Sequence, residues 1–208
     1  MKSSDWLKIV EELKSIAQNG LTYCDNHFDI ERYEQIQELA AKIIANNTEY
    51  NTNQIIDIFA KDQGYLTPKL DVRAAIFKSG KILLSKEKAD QRWSLPGGFA
   101  DVNESPKEAI AREVKEETDV EVKVIRLLAL WDRQKHNHPS QIPHVYKAVF
   151  CCEVISEPKQ FVSNHEIIDT GWFVKEQLPS MSLGRILPEQ IHRLFNLYEN
   201  NVIETEFD

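Results

Sequence analysis

The stretch GGFADVNESPKEAIAREVKEETDV, residues 97–120, fixes a helix and what lies along its edge. Ser105-Pro106-Lys107-Glu108 sets a serine at an N-cap, a proline at the first helical position and a glutamate three residues past the cap. That is a capping box with the favoured N-terminal proline, so a helix is expected over Pro106 to Thr118. At about 100° per residue, Ile110, Ala111 and Val114 fall in one arc and make a buried stripe. Arg112, Glu116, Glu113 and Glu117 follow on the other side, with Glu117 at the border of the stripe and Ala109 expected to leave an open approach among the carboxylates. Leu95-Pro96-Gly97-Gly98 brings backbone to the same end with no Cβ in the way.

Three carboxylates at i, i+3 and i+4 repel one another by only about 0.2–0.5 kcal/mol per exposed pair. Energetics therefore allow a solvated acidic face, balanced by Lys107, Arg112 and Lys115. The other reading is a hard-cation site, because Mg²⁺ takes oxygen ligands, keeps several waters and is held by a few carboxylates plus substrate phosphates.

The wider spacing separates the two readings. Gly98, five residues, Glu104, seven residues and then Arg112-Glu113-Val114-Lys115-Glu116-Glu117 resembles the Nudix box, GX5EX7REUXEEXGU with U apolar, and Trp93-Ser94-Leu95-Pro96-Gly97 resembles its usual lead-in. One position departs: the late glycine is Asp119, followed by the apolar Val120. Aspartate is among the few other residues that tolerate the left-handed conformation such a helix stop needs. The resemblance implies an α/β fold, a Nudix-like α/β/α sandwich with a mixed sheet. It also implies metal-dependent hydrolysis of a nucleoside diphosphate linked to another moiety, by attack of water on phosphorus. The helices ahead of the box and the stretch LLALWDRQKHNHP, residues 127–139, look like a bacterial subgroup of ADP-ribose or CDP-choline pyrophosphatases.

Carried onto this chain, the resemblance implies that Glu113, Glu116 and Glu117 hold Mg²⁺, for which Mn²⁺ may substitute, with the Gly97 carbonyl as a backbone ligand. Glu104 is an accessory ligand or brace, and Arg112 orients a glutamate by a charge-assisted bond. The base is Glu166, in Ser163-Asn164-His165-Glu166, or else Glu113 or Glu117 acting directly. Candidate substrate contacts are Arg73, Asp132, Arg133, His136 and His138, the last four in a polar loop after a strand. A zinc site from His136, His138 and His144 is a further reading, without cysteine partners. Trp93 or Trp131 would stack on a base or belong to the core.

Outward from the box, Val72 to Phe77 and Ile82 to Ser85 read as strands joined at Lys78-Ser79-Gly80-Lys81, with Gly80 supplying a positive φ. Val122 to Trp131, His144 to Val154 and Gly171 to Val174 read as further strands. Pro188 to Tyr198 reads as a helix with Ile191, Leu194, Phe195 and Tyr198 on one face. The first sixty residues carry three amphipathic stripes: Trp6 to Ala17 ending at Gly20, Tyr33 to Ile44 capped by Asp29, and Ile55 to Phe59 capped by Thr52 and stopping near Gly64. The expected organisation is a helical domain over 1–66, serving dimerisation and shaping of the substrate pocket, and a Nudix domain over 67–208. Three short helices make a small private core, so a partner is expected, most simply a second copy in a homodimer.

Among 208 residues, 25 Lys and Arg face 33 Asp and Glu, a formal net charge of −8, with 6 against 11 in the first 66 residues. That balance disfavours a hold on nucleic-acid backbone, though RNA 5′-end pyrophosphohydrolysis stays as an alternative function. The other alternative, a nucleotide-binding regulator that has lost catalysis, would be expected to lose box carboxylates and to carry a basic attachment; here the carboxylates stand and the N-terminal segment is acidic. The start MKSSDWLKIV has no apolar leader and no run approaches about 18 apolar residues. Three cysteines, with Cys151 and Cys152 adjacent, make a poor disulfide framework. A cytoplasmic protein with no membrane attachment is expected.

Overall fold

The computed structural model describes residues 5–139 and 143–208; residues 1–4, part of the segment read as lacking an apolar leader, lie outside them. The chain divides into two compact units, Met1–Thr67 and Pro68–Asp208.

The first unit holds α1 (Asp5–Tyr23), α2 (His27–Ala45) and α3 (Thr52–Ala60). Gly20 does not stop α1. A Cβ there would lie 2.4 Å from Cζ of Tyr33 on α2, so this glycine lets an aromatic ring lie against the helix, which runs on for three more residues. The caps differ from expectation as well. Asn26, not Asp29, caps α2, its side-chain oxygen accepting from the Phe28 N–H at 2.9 Å and the Asp29 N–H at 3.4 Å. Asn51, not Thr52, caps α3 in a capping box with Gln54. The unit buries Val10, Ala17, Ala40, Ala41, Ile44, Ile55 and Phe59.

The second unit is built on a seven-stranded mixed sheet among the described residues, in the order β3-β2-β1-β5-β4-β7, with β6 also pairing β2. The strands are β1 (Lys69–Lys78), β2 (Lys81–Glu87), β3 (Trp93–Ser94), β4 (Glu121–Asp132), β5 (Val145–Ser156), β6 (Ile167–Phe173) and β7 (Glu206–Phe207). The β1–β2 turn needs positive φ at both Ser79 (49°) and Gly80 (72°), one residue more than the sequence suggested. β6 starts at Ile167, four residues ahead of the expected strand, because it follows β2 from Ile82 to Glu87. One face of the sheet packs on α5 (Pro188–Glu199) through Ile191, Leu194 and Phe195, and the other on α4 (Pro106–Thr118) through Ile110 and Val114. This is the α/β/α sandwich expected from the sequence. Parallel pairing of β1 with β5 sets Asp71 beside Lys147 and Arg73 beside Val149, deep in the molecule.

Candidate active site

α4 is capped as its sequence requires. The Ser105 hydroxyl accepts from the Glu108 N–H at 3.3 Å, and the Glu108 carboxylate accepts from the Ser105 N–H at 2.8 Å. Asp119 ends the helix in the left-handed conformation, φ 56°, and its side chain pairs with Lys115 at 2.7 Å. Ala109 does not open an approach among the carboxylates. It is wholly buried in the core beside Ile110 and Val114.

The carboxylates of the helix meet different surroundings. Arg112 is a hub: its Nε and one terminal nitrogen donate to both oxygens of Glu104 at 3.0 and 2.7 Å, and the other terminal nitrogen to Glu113 at 2.9 Å and Glu116 at 3.1 Å. With the Asp101 N–H added to that fork, Glu104 is held at a pKa of about 2. Glu116 is the exposed member, its side chain 61% accessible. Glu113 is mostly buried, which raises its pKa against the pull of Arg112. Glu117 is buried to 6% accessibility and accepts from the Ser85 hydroxyl at 3.1 Å and the Gly97 N–H at 3.2 Å. Burial, together with Glu87 and Glu113 and against Arg73 and the Gly97 N–H, pushes its pKa up to about 8.

The glycines give these carboxylates their room. Gly97 has φ 138°, and a Cβ on it would stand 2.0 Å from the Val72 carbonyl oxygen. A Cβ on Gly98 would meet Glu113 Oε2 at 2.9 Å. Strand β1 holds the loop by hydrogen bonds from the Val72 N–H to the Gly98 carbonyl and from the Ala74 N–H to the Pro96 carbonyl.

In front of them lies a cavity of about 570 Å³ lined by both acids and bases. Asp71, Glu87, Glu113, Glu117 and Glu166 supply its acids, and Arg73, Arg133, Lys147 and Arg185 its bases. Six residues proposed from sequence line it: Arg73, Gly97, Glu113, Glu117, Arg133 and Glu166. Glu166 is on an exposed loop, its carboxylate 62% accessible and 3.2 Å from His165. Arg133 is buried and donates to the carbonyls of Gly184 at 3.3 Å and Pro139 at 2.6 Å.

Glu104, Arg112, Glu116, Asp132, His136 and His138 are not among the lining residues. Asp132 accepts from the Gln134 N–H and pairs with His144; His136 pairs with Asp208 at 3.1 Å. His138 is 2.7 Å from the Leu183 carbonyl through Nδ1, while its Nε2 is buried with no hydrogen-bond partner. Burial, with Lys147, Arg133 and His136 nearby, lowers its pKa to about 4. Trp131 is fully buried and donates to Glu206, so it does not stack on a ligand, and Trp93 packs edge-on against Phe173. Sequence reasoning missed Asp71, Glu87, Lys147 and Arg185, which line the same cavity.

Among the described residues no three His, Cys, Asp or Glu side chains are already drawn in around one ion position, zinc-type histidine clusters included. The donor set nonetheless suits a hard cation in kind. Every candidate atom is an oxygen, and a carboxylate held at about 8 by burial, with Glu87 and Glu113 adding to it, is a group that a divalent ion relieves.

The Nudix domain model matches residues 67–194, and a model described as a UDP-X-like, N-terminal oligomerisation domain matches residues 4–59. The Bacillus subtilis (strain 168) protein YjhB, provisionally named an ADP-ribose pyrophosphatase, is 37% identical over 203 residues, covering 98% of this chain and 97% of its own length. A crystal structure of a UDP-X diphosphatase is 35% identical with a TM-score of 0.63, covering 100% of this chain and 99% of that one. The crystal structure of an ADP-ribose pyrophosphatase from Streptococcus suis 89-1591 is 39% identical with a TM-score of 0.62, covering 68% of this chain and 100% of that one.

Proposed function

Since the chain belongs to the Nudix family and is a pyrophosphatase hydrolase, we propose that it cleaves the diphosphate of a small nucleoside diphosphate conjugate of the ADP-ribose, CDP-choline or UDP-X type, releasing a nucleoside monophosphate and the phosphorylated moiety. One observation carries the reading: Glu113 and Glu117 of the box helix share a cavity with Arg73, Arg133 and Lys147. A diphosphate entering that cavity meets both positive charge and cation ligands.

Nudix hydrolases generally use divalent metal ions. Glu113, Glu116 and Glu117 with the Gly97 carbonyl would hold the ion, which would be Mg²⁺ with Mn²⁺ able to substitute. When bound, such an ion offsets phosphate charge and lowers the pKa of water. The protein's own groups do the rest. Arg112 fixes Glu113 and Glu116, and Glu104 braces Arg112. Arg73 and Arg133 neutralise the bridging diphosphate. Glu166, at the cavity's margin, takes the proton of the attacking water. Asp132, His136 and His138 act on substrate choice through the loop that carries Arg133.

The N-terminal unit, residues 1–66 ahead of a catalytic domain over 67–208, serves a homodimer. Its match to an oligomerisation domain and its exposed Ile9, Ile16 and Leu39 support this. Among the described residues no helix is long and apolar enough to cross a membrane. Three free cysteines, two of them buried, fit a cytoplasmic setting.

The test is a substrate panel with Mg²⁺ or Mn²⁺: ADP-ribose, UDP-sugars, CDP-choline, dinucleoside polyphosphates, NADH and triphosphorylated RNA, with Glu117→Gln as control. Nucleoside monophosphate from a sugar or choline conjugate, with one atom of ¹⁸O from labelled water on a product phosphate, is the expected result. Turnover of RNA alone, or of nothing, would overturn it.

A further inference from the structure

Asp71 and Lys147 stand side by side on the parallel strands β1 and β5. Arg73 follows two residues after Asp71, on the same face of β1. The Asp71 carboxylate is shared: Oδ1 accepts from Arg73 Nε at 2.8 Å, and Oδ2 from the Lys147 ammonium. All three side chains are buried and all three line the cavity, with Lys147 only 2% accessible. Asp71 is the one carboxylate hydrogen-bonded to both cations, so within this triad two buried positive charges share one negative charge beside the cavity. Burial of that kind is costly unless an anion completes it.

The two cations are not equivalent. Arg73 also senses Glu117 and Glu87, and these with Asp71 hold its pKa above the ordinary value despite burial. Lys147 has Asp71 as its acidic partner and Arg73 and Arg133 as positive neighbours; burial and those neighbours bring its pKa down to about 8. A lysine in this position is the group of the pair with most to gain from an incoming phosphate. It sits on a central strand, where its ammonium is fixed by Asp71 and not by a flexible loop.

We propose that Lys147, held on Asp71 beside Arg73, contacts the substrate's diphosphate directly and is a substrate-binding residue of the reaction. The proposal rests on the functional reading above. Asp71 is then a positioning residue: it aims Lys147 and Arg73 at one phosphate while neutralising only one of them. Binding strength lies in this triad, whereas the box carboxylates serve the chemical step.

The test compares wild type with Lys147→Met and Lys147→Arg, using methylenediphosphonate as a non-hydrolysable probe in calorimetry with and without Mg²⁺. Lys147→Met is expected to weaken probe binding by about 10- to 100-fold, the range for losing one charge-assisted hydrogen bond. With a hydrolysable conjugate its KM should rise by a similar factor while kcat falls far less; Lys147→Arg should recover much of the affinity. A merely structural lysine would lower the melting temperature and leave the probe's Kd and the KM unchanged in folded protein, and that result overturns the proposal. Should Lys147→Met not fold, a wild-type crystal soaked with methylenediphosphonate decides. A phosphonate oxygen within hydrogen-bonding distance of Lys147 Nζ is expected, and density elsewhere or none in the cavity overturns it. If wild type cleaves no conjugate yet Lys147→Met still loses probe affinity, the anion contact stands and the proposed function fails. If conjugates are cleaved with unchanged KM and Kd in Lys147→Met, the reverse holds.

Discussion

The two units of this protein differ in where they depart from the usual rules of burial. Residues 68–208 bury groups that belong in water: Glu117, Lys147, Asp71, Arg73 and Glu87 are all inside. Residues 1–67 bury one charged side chain among those described, Lys14, and leave apolar side chains in water along one face of α1: Ile9 is 49% accessible and Ile16 53%. Scattered apolar exposure is ordinary, but buried charge and clustered apolar exposure each signify a use. Buried charge facing a cavity marks a site for a small ionic ligand. An unfinished apolar face on a helical unit whose own core is a handful of side chains marks a place for another protein surface. The difference teaches where to look for each kind of failure: in chemistry for one unit, in assembly for the other.

The contrast is broken most directly at Glu117. Its carboxylate accepts from the Ser85 hydroxyl and the Gly97 N–H, and an amide oxygen can keep both. Glu117→Gln is therefore expected to fold normally and to lose about 10³-fold or more in kcat, a loss typical of removing a charged group from the chemical step. Steady-state kinetics beside urea unfolding would check it; equal losses in both would make Glu117 a structural residue. At Gly97 the expectation is inverted. Gly97→Ala drives a Cβ against the Val72 carbonyl at φ 138° and should cost more than about 3 kcal/mol of stability, seen as insoluble expression or a collapsed urea midpoint.

In the first unit the breaking point is the exposed stripe. Ile9 and Ile16 lie two turns apart on α1 and face outward together. Ile9→Glu combined with Ile16→Glu should weaken self-association by about 100-fold or more, since each buries a charge if the interface forms. Analytical ultracentrifugation across concentrations would measure it. Metal affinity of the second unit is expected to be unchanged, and a variant that stays fully associated would remove the stripe from the interface.

The half-buried His138 sharpens the contrast on a smaller scale. Its pKa is about 4 in the folded chain against about 6.5 in an unfolded one, so between those values the unfolded state binds the extra proton. Stability is then fully present above pH 6.5 and lost as the pH falls toward 4. Protonation would put an N–H on Nε2, which is buried with no acceptor. His138→Gln should flatten this acid limb by roughly 1–2 kcal/mol between pH 6.5 and 4.5, after allowing for partial exposure. Urea midpoints at four pH values would test it.

What the sequence disclosed follows the same line. The capping box, the burial of Ile110 and Val114 and the left-handed stop at Asp119 are local, set by residues within a turn of one another. The start of α2 was misplaced because Asn26 and Asp29 are both competent caps and the apolar stripe begins only at Tyr33. Gly20 reads as a helix end in one dimension; only the Tyr33 ring from another helix explains it. The interior of the cavity was hidden for a deeper reason. Asp71 and Lys147 are 76 residues apart, and each looks like the polar half of an alternating strand until parallel β1–β5 pairing brings them together. Charge pairing across a sheet is a property of topology, which single-strand patterns do not carry.

The smallest effect concerns the one departure from the box. Asp119 holds φ 56°, a conformation that costs an L-residue about 1–2 kcal/mol and aspartate somewhat less. Against that cost stand its 2.7 Å pair with Lys115, worth a few tenths of a kcal/mol at the surface, and the smaller unfolded-state entropy of aspartate relative to glycine. Lys115 also has Glu121 at 3.3 Å and keeps a partner when Asp119 is replaced. Asp119→Gly is thus expected to stabilise the second unit by about 0.5 kcal/mol or less, read as a small rise in urea midpoint at constant slope, with catalysis unchanged because the left-handed stop survives. A loss above about 1 kcal/mol would mean that the Lys115 pair, and not backbone tolerance, holds the helix end where the box carboxylates need it.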